Sequence, residues 1–350
     1  MRNVFVPAVG QYDNIGDIML RRPLLDRLRN HGRLHVYTGP APRGYTRALN
    51  LSPEDAVYTS FASWHGALLR AAARHTADYA FKPGEIQLTV RGMKEHLGLL
   101  PALSLVRSGG GRIVRVGSGA RAFPRGGKAL IAPSLAVPHV TRWRDTESAR
   151  VLGHGTTMPD LAFLDGPDAI GEGGRDRLVV SMRGDRPAPD ATWRAAIRDF
   201  ADRLGARLVV VTQVERDGGR ARELALEWGC ELLAFDGTDH ADHEQRVREQ
   251  YRSALAVASD RLHVLIAATT EGAPPLAPLA APADKIDRHF EAAHLPPVSV
   301  LLTHRQARAA ADALTAAFER SRDVPAALAA TRSAVSDALT EVETALERNA

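Results

Sequence analysis

The run Ser259-Asp260-Arg261-Leu262-His263-Val264-Leu265-Ile266-Ala267 sets an arginine and a histidine where an apolar strand gives way to a helix. Leu255-Ala256-Val257-Ala258 reads as the end of that strand, and Leu262, Leu265 and Ile266 fall at helical spacing on one face. Ser259 or Asp260 offers an N-cap. Arg261 and His263 are then expected in the first helical turn, beside unpaired backbone N–H groups and the positive end of the helix dipole. That combination suits an anion, phosphate above all. Taken alone the pattern is weak, because a solvated helix cap explains the same residues. A second arginine, Arg183, closes the strand Val179-Val180-Ser181-Met182. Its planar fork suits bidentate pairing with carboxylate or phosphate, and the bland alternative is a surface arginine beside Asp185.

These residues need strands that end together. Strand and helix signals alternate through the first half: a strand at Val4–Val9, a helix from Ile18 to about residue 30, and short strands at 34–37, 79–81 and 112–117. After Asp165–Asp176, the best linker in the chain, the alternation restarts. It gives strands at 178–182, 207–212 and 231–235, helices at 190–204, 218–228 and 243–254, and the strand before Ser259. Such alternation means parallel sheets joined by right-handed crossovers. The predicted fold class is α/β, with two Rossmann-like domains facing a cleft. The predicted domains are residues 1–168 and 175–304, followed by C-terminal helices over 305–350 that pack back across both. In such sheets ligands bind beyond the carboxyl ends of the strands, and the loops at 10–17, 183 and 259–263 all follow strands. Residues 272–282, rich in Pro and Ala, read as an irregular loop.

Five segments in one order sharpen the reading. Asp13-Asn14-Ile15-Gly16-Asp17 follows the first strand, and Arg144-Asp145-Thr146-Glu147-Ser148 and Pro159-Asp160 come next. Ser181-Met182-Arg183 and Arg261-Leu262-His263 complete the set. Together they resemble the polysaccharide pyruvyltransferase family, which moves the enolpyruvyl unit of phosphoenolpyruvate onto sugar hydroxyls as a ketal. The resemblance implies the two-domain architecture called GT-B, with the donor held in the second domain by Arg183, Arg261 and His263. It also implies a lysine downstream of Gly272-Ala273-Pro274, here Lys285, one of only four lysines in the chain. An ordinary solvated lysine before the helix at Ile286 is the alternative. His263 is the candidate acid. Asp17 is the candidate base or acceptor-orienting group, on a loop expected in the first domain, unless it is only the N-cap of the helix from Ile18. Asn14 either orients acceptor hydroxyls or fixes the turn. Arg144, Asp145 and Ser148 are explained by local pairing at a helix start. Many family members carry a glycine run where this chain has Phe81-Lys82-Pro83-Gly84-Glu85, which leaves the acceptor's identity open.

The implied partners are phosphoenolpyruvate and a sugar acceptor within a cell-surface polysaccharide precursor or glycolipid. No metal or cofactor is required, since arginines can neutralise phosphate. The rival reading is a GT-B glycosyltransferase using a nucleotide sugar. At 350 residues, with 45% hydrophobic and 25% charged residues, the composition is that of an ordinary soluble protein of two domains. The formal charge of +4 suits anionic substrates or a loose stay at an anionic membrane surface. No basic cluster with interleaved aromatics marks a nucleic-acid partner. A single cysteine, Cys230, rules out an intrachain disulfide. With no apolar run long enough to span a bilayer, a cytoplasmic protein is expected, in loose contact with the inner membrane face where its acceptor is lipid-linked; the oligomeric state is left open. The acidic and histidine cluster Asp236, Asp239, His240, Asp242 and His243 lacks metal-ligand spacing, and the absence of Gly-x-Gly-x-x-Gly after the first strand argues against NAD.

Overall fold

A computed structural model describes residues 2–169, 173–303 and 305–347. The chain divides into two compact units, the first comprising Met1–Tyr12, Leu20–Leu161 and Ser333–Ala350, the second Asp13–Met19 and Ala162–Arg332. Of the predicted linker, residues 170–172 lie outside the described residues.

The first unit opens with β1 (Asn3–Pro7), α1 (Ile15–Arg29, which clusters with this unit from Leu20 onward), β2 (Arg33–Tyr37), α2 (Arg43–Ala48), β3 (Ala56–Tyr58) and α3 (Phe61–Ala73). It continues through β4 (Ala77–Phe81), β5 (Gly84–Ile86), α4 (Val90–Gly98), α5 (Leu100–Ser108) and β6 (Ile113–Ala120). Then come α6 (Gly127–Leu135), β7 (Val140–Trp143), α7 (Thr146–Leu152) and β8 (Thr156–Thr157). All pairings are parallel, in the order β3-β2-β1-β4-β6-β7-β8 with β5 beside β6. Strands buried on both faces read as continuous apolar runs rather than alternating ones, and every residue of β4 and β6 is buried. Phe5, Trp64, Leu68, Tyr79, Leu103 and Ile113 form one core between this sheet and α3 and α5. Each such large side chain stabilises the fold by roughly 1.5–3 kcal/mol through burial.

The second unit repeats the plan with β9 (Arg177–Ser181), α8 (Ala191–Leu204), β10 (Arg207–Val211), α9 (Gly218–Trp228), β11 (Glu231–Leu233) and α10 (His240–Arg252). It ends with β12 (Ala254–Ser259), α11 (Leu262–Thr270), β13 (Pro275–Leu279), α12 (Lys285–Ala292), β14 (Ser299–Leu301) and α13 (Ala307–Ser321). The strand order is β11-β10-β9-β12-β13-β14, all parallel. Counted from its own first strand this is 3-2-1-4-5-6, the order of dinucleotide-binding Rossmann sheets. Helix α8 shows why the pattern folds as it does. Asp190 caps it by accepting the Trp193 N–H at 2.7 Å, Gly205 ends it at φ 62°, and Trp193, Ala196, Ile197 and Phe200 face inward. The stripe Ala310, Leu314 and Ala317 of α13 joins the same core. The last helix, α14 (Leu328–Glu347), begins in the second unit, and from Ser333 onward it clusters with the first.

The segment expected as a loop at 272–282 instead contains β13, whose five residues are all buried. Proline is normally excluded from inner strands because it cannot donate to the ladder. Here Pro275 and Pro278 fall where the strand on their N–H side is unpaired. Ala277, two residues from Pro275, donates to Val298 O toward β14, while β14 pairs only from Ala277 onward. Toward β12, pairing covers Pro275 and Leu276 and ends before Pro278.

Candidate functional site

The order of the second sheet reverses between β9 and β12, and there the chain delivers its charged residues. Arg183 follows β9 and Arg261 follows β12, so adjacent parallel strands carry both to one carboxyl edge. Arg261 is the extended residue preceding α11 (φ −107°, ψ 122°), not a member of the first turn. Neither predicted cap serves that helix. The Ser259 hydroxyl donates to Ser181 O at 2.5 Å and accepts the Arg261 N–H at 3.0 Å, and Asp260 accepts the Arg183 N–H at 2.9 Å. The cap residue of α11 makes no side-chain cap hydrogen bond, and the positive end of the helix dipole favours an anion there. His263 lies in the first turn, half-buried.

Carboxylates hold the arginines in place. Arg261 pairs bidentately with Asp217, through Nε to Oδ2 and from Nη2 to Oδ1 at 2.6 Å. Asp217 is fully buried and accepts the Gly184 N–H at 2.8 Å as well. Gly184 is required there, since a Cβ would meet Arg216 O at 2.8 Å. Arg183 is itself bidentate to Asp185, Nε at 2.8 Å and Nη2 at 2.7 Å, and Arg261 Nη2 stands 4.0 Å from the same carboxylate. Hydrogen bonding from Arg183, with the charges of Arg183, Arg261 and Arg216, pulls the Asp185 acid down to about 2. Burial pushes the Asp260 carboxyl upward. Asp217 carried no motif signal in the sequence; its position between the end of β10 and the Gly-Gly start of α9 is the clue available.

The Asn-x-Gly-Asp loop, expected on the first domain, clusters by contact with the second unit. Its backbone is clipped to the segment after β10. Ile15 N–H donates to Gln213 O at 3.1 Å, Glu215 N–H donates to Asp13 O at 2.9 Å, and Asn14 bridges Val214. Arg216 pairs with Asp13 at 2.6 Å. Helix α1 begins at Ile15, so Asp17 lies inside its first turn instead of capping it. Asn14 takes the capping role, its Oδ1 accepting the Gly16 N–H at 2.9 Å. Gly16 lies directly against the candidate acid: a Cβ there would meet His263 Cβ at 2.8 Å and His263 Nδ1 at 3.2 Å. Asn14, Arg183, Arg261 and His263 are thus gathered in one unit, with half-buried Asp17 in the first turn of α1, next to the Gly16 that abuts His263. Lys285 opens α12 after β13, one strand beyond β12 and at the same sheet edge.

Other sequence features resolve structurally. Arg144 pairs with buried Asp160 at 3.0 Å, and Asp145 caps α7 through the Ser148 N–H at 2.8 Å. Glu85 pairs with Arg121. In the acidic and histidine segment, Asp239 caps α10, while buried His243 bonds Thr212 O at 2.6 Å and stacks on Phe235. Among the described residues no group of three or more His, Cys, Asp or Glu side chains could hold a metal ion, and no helix is long and apolar enough to cross a membrane.

The first unit carries a cavity that sequence reading missed. It measures about 460 Å³ and is lined by Pro7, Val9, Tyr37, Phe61, Trp64, Lys94 and Gly98. Pro7 and Tyr37 end β1 and β2, so it too opens at a carboxyl edge, beside the strand where the order of that sheet reverses. Tyr37 stacks on Trp64 with ring centroids 5.6 Å apart, and Phe61 meets Tyr37 edge-on at 5.7 Å. Phe61 is 43% exposed.

These two sheets define a protein of the GT-B class, with two Rossmann-like domains. Solved structures share the fold across nearly the whole chain. A UDP-GlcNAc 2-epimerase from Neisseria meningitidis bound to UDP-GlcNAc matches at TM-score 0.61 and 8% identity, covering 100% of each chain. A putative UDP-N-acetylglucosamine 2-epimerase from Listeria monocytogenes matches at TM-score 0.61 and 12% identity, covering 99% of this chain and 95% of that one. The calicheamicin glycosyltransferase CalG4 matches at TM-score 0.54 and 12% identity, covering 100% and 99%. The family profile described as polysaccharide pyruvyl transferase matches residues 14–277, and the chain belongs to that family of transferases. No curated protein matches it.

Proposed function

We propose that the protein transfers the enolpyruvyl unit of phosphoenolpyruvate to two hydroxyls of a sugar, forming a pyruvate ketal and releasing phosphate. The observation that carries this reading is the convergence of Arg183, Arg261 and the start of α11 at the point where the second sheet reverses. A ligand with one carboxylate and one phosphate suits the fork of Arg183, the positive charge of Arg261 beside it and a helix N-terminus. Family membership supports pyruvyl transfer as the use of that site.

In the proposed reaction the donor's methylene carbon is protonated, leaving an oxocarbenium-like centre at the neighbouring carbon. One sugar hydroxyl attacks it, the C–O bond to phosphate breaks, and the second hydroxyl closes the ring. One hydroxyl proton ends in the new methyl group and the other leaves with phosphate. His263 supplies the acid and Asp17 receives or orients a hydroxyl. The arginines stabilise the departing phosphate, with Lys285 as a further cation at the same edge, and Asn14 caps the helix start that holds Asp17. The acceptor sugar is part of a polysaccharide precursor or glycolipid, and the aromatic side chains Tyr37 and Phe61 that line the first-unit cavity suit the apolar face of such a ring. A lipid-linked acceptor would bring the protein to the inner membrane face.

Calorimetric titration with phosphoenolpyruvate tests the donor half. Saturable binding is expected for the wild type, and loss of at least about a hundredfold in affinity for the Arg261→Ala, His263→Ala double variant. A wild type that ignores phosphoenolpyruvate at millimolar concentration but binds a nucleotide sugar would place the chain with the glycosyltransferases instead.

A further inference from the structure

We propose that Asp185 is a resident competitor for the donor: its carboxylate occupies, on Arg183, the place that the substrate's own carboxylate takes, and the donor binds by displacing it. This rests on the reading of Arg183 and Arg261 as the donor site.

Both oxygens of Asp185 are engaged by Arg183, through the Nε and Nη2 edge of the guanidinium. That edge is one of the two that a substrate carboxylate can use in a fork-to-fork pair. Asp185 also stands 4.0 Å from Arg261, so it occupies the overlap of two arginine fields. The two carboxylates of the cluster differ in one decisive respect. Asp217 is fully buried and holds a backbone N–H as well as Arg261, which makes it a fixed part of the frame. Asp185 lies on the loop after β9, its side chain is 40% exposed, and water waits to solvate it when it turns out. An exposed ion pair is cheaply broken. A ligand offering a carboxylate to Arg183 can therefore replace Asp185 without stranding a buried charge.

The competitor also selects. A ligand that engages Arg183 alone gains nothing over Asp185, because one carboxylate merely replaces another. A ligand that adds a phosphate, reaching Arg261 and the N–H groups of α11, makes contacts that Asp185 does not. Asp185 is thus a specificity-determining residue that excludes simple carboxylates and favours a phosphorylated one.

Titration of the full chain and its Asp185→Asn and Asp185→Ala variants with phosphoenolpyruvate, and separately with pyruvate, tests this. Both variants are expected to bind phosphoenolpyruvate about threefold to fivefold more tightly than the wild type, a modest gain because the pair is exposed. Pyruvate binding should become measurable only in the variants. Unchanged or weakened phosphoenolpyruvate affinity in both variants, with unaltered melting temperature, would show that Asp185 merely props Arg183 and would overturn the proposal. The Arg261→Ala, His263→Ala variant separates the two readings. If it binds phosphoenolpyruvate like the wild type, the donor site itself is wrong. If it loses binding while Asp185→Asn gains nothing, only the competitor is wrong. Binding by neither the wild type nor Asp185→Asn overturns both.

Discussion

Two sheets of the same design meet solvent at their carboxyl edges with opposite chemistry. At the carboxyl edge of the second sheet stand Arg183, Arg216 and Arg261, interlocked with Asp13, Asp185 and Asp217. Beside the same edge of the first lie Tyr37, Phe61 and Trp64, with one lysine on the rim of the cavity. The scaffold fixes where a ligand can bind, and the residues that end the strands decide what binds there. A charged edge suits an anionic donor; an aromatic edge suits the apolar face of a sugar ring, which stacks on such side chains.

Substitution of Asp217 should break this contrast most severely. Asp217→Ala leaves the buried Arg261 guanidinium and the Gly184 N–H without their acceptor. Removing one partner of a buried pair costs about 3–5 kcal/mol, so the melting temperature should fall by several degrees. Phosphoenolpyruvate affinity, measured by calorimetry, should drop at least about a hundredfold, because the fork of Arg261 loses its orientation. Retained affinity would mean that Arg261 is held by its helix alone.

A change of pH should separate the edges next. His96, on α4, is buried, and that burial, with the nearby charges of Arg115 and Lys82, lowers its pKa to about 3. Arg115 is fully buried between Phe81 and Trp143, with Ser134 as its hydrogen-bond partner. With the folded value depressed, the stability contributed by neutral His96 is complete above the unfolded value near 6.5. It is lost progressively as pH falls toward 3, by about 2 kcal/mol at pH 5. Urea unfolding at pH 7.5 and pH 5 should show this loss, and His96→Leu should remove it. Asp185, whose acid lies at about 2, keeps its charge throughout that range, so its pairing with Arg183 should persist at pH 5. Equal acid sensitivity in the His96→Leu variant would assign the loss to other groups.

The smallest effect belongs to Phe61. Phe61→Ala removes a ring that is 43% exposed, so stability should change by less than about 1 kcal/mol. With an acceptor in hand, the acceptor KM should rise about fivefold while donor affinity stays fixed, a split readable in steady-state kinetics. A shift in donor affinity instead would deny the two edges separate tasks.

Much of this was legible in the sequence. The alternation of apolar runs with amphipathic segments foretold the parallel sheets, and α8 and α9 fall within a residue of their predicted spans. Arg183, Arg261 and His263 were legible because each follows a strand whose apolar run is unbroken. What stayed hidden depended on contacts far apart in the chain. Buried Asp217 is one acidic residue among several in a polar stretch until Arg261, 44 positions away, closes on it. Strand β13 was hidden by its prolines, which are tolerated only because neighbouring strands start and stop in a particular register. The Asn-x-Gly-Asp loop follows β1 in sequence, and nothing local reveals that its backbone bonds to residues 213–215. The cavity at Tyr37, Phe61 and Trp64 draws on α3, α4 and the ends of two strands, which no short window contains.

Helix α11 is anchored at both ends. At its start Arg261 is gripped by Asp217; just past its end Glu271, fully buried, receives Arg248 Nη1 at 2.9 Å and Arg252 Nε at 2.6 Å. Arg248 in turn holds Glu244 on α10 and Asp165. A nine-residue helix so clamped has no freedom to slide or rotate when a ligand arrives. The entropy of aligning Arg261 and His263 is therefore lost once, during folding, and not again at each encounter with substrate. Loosening the far end, some nine residues from the chemistry, should slow turnover by widening the spread of poses at the near end.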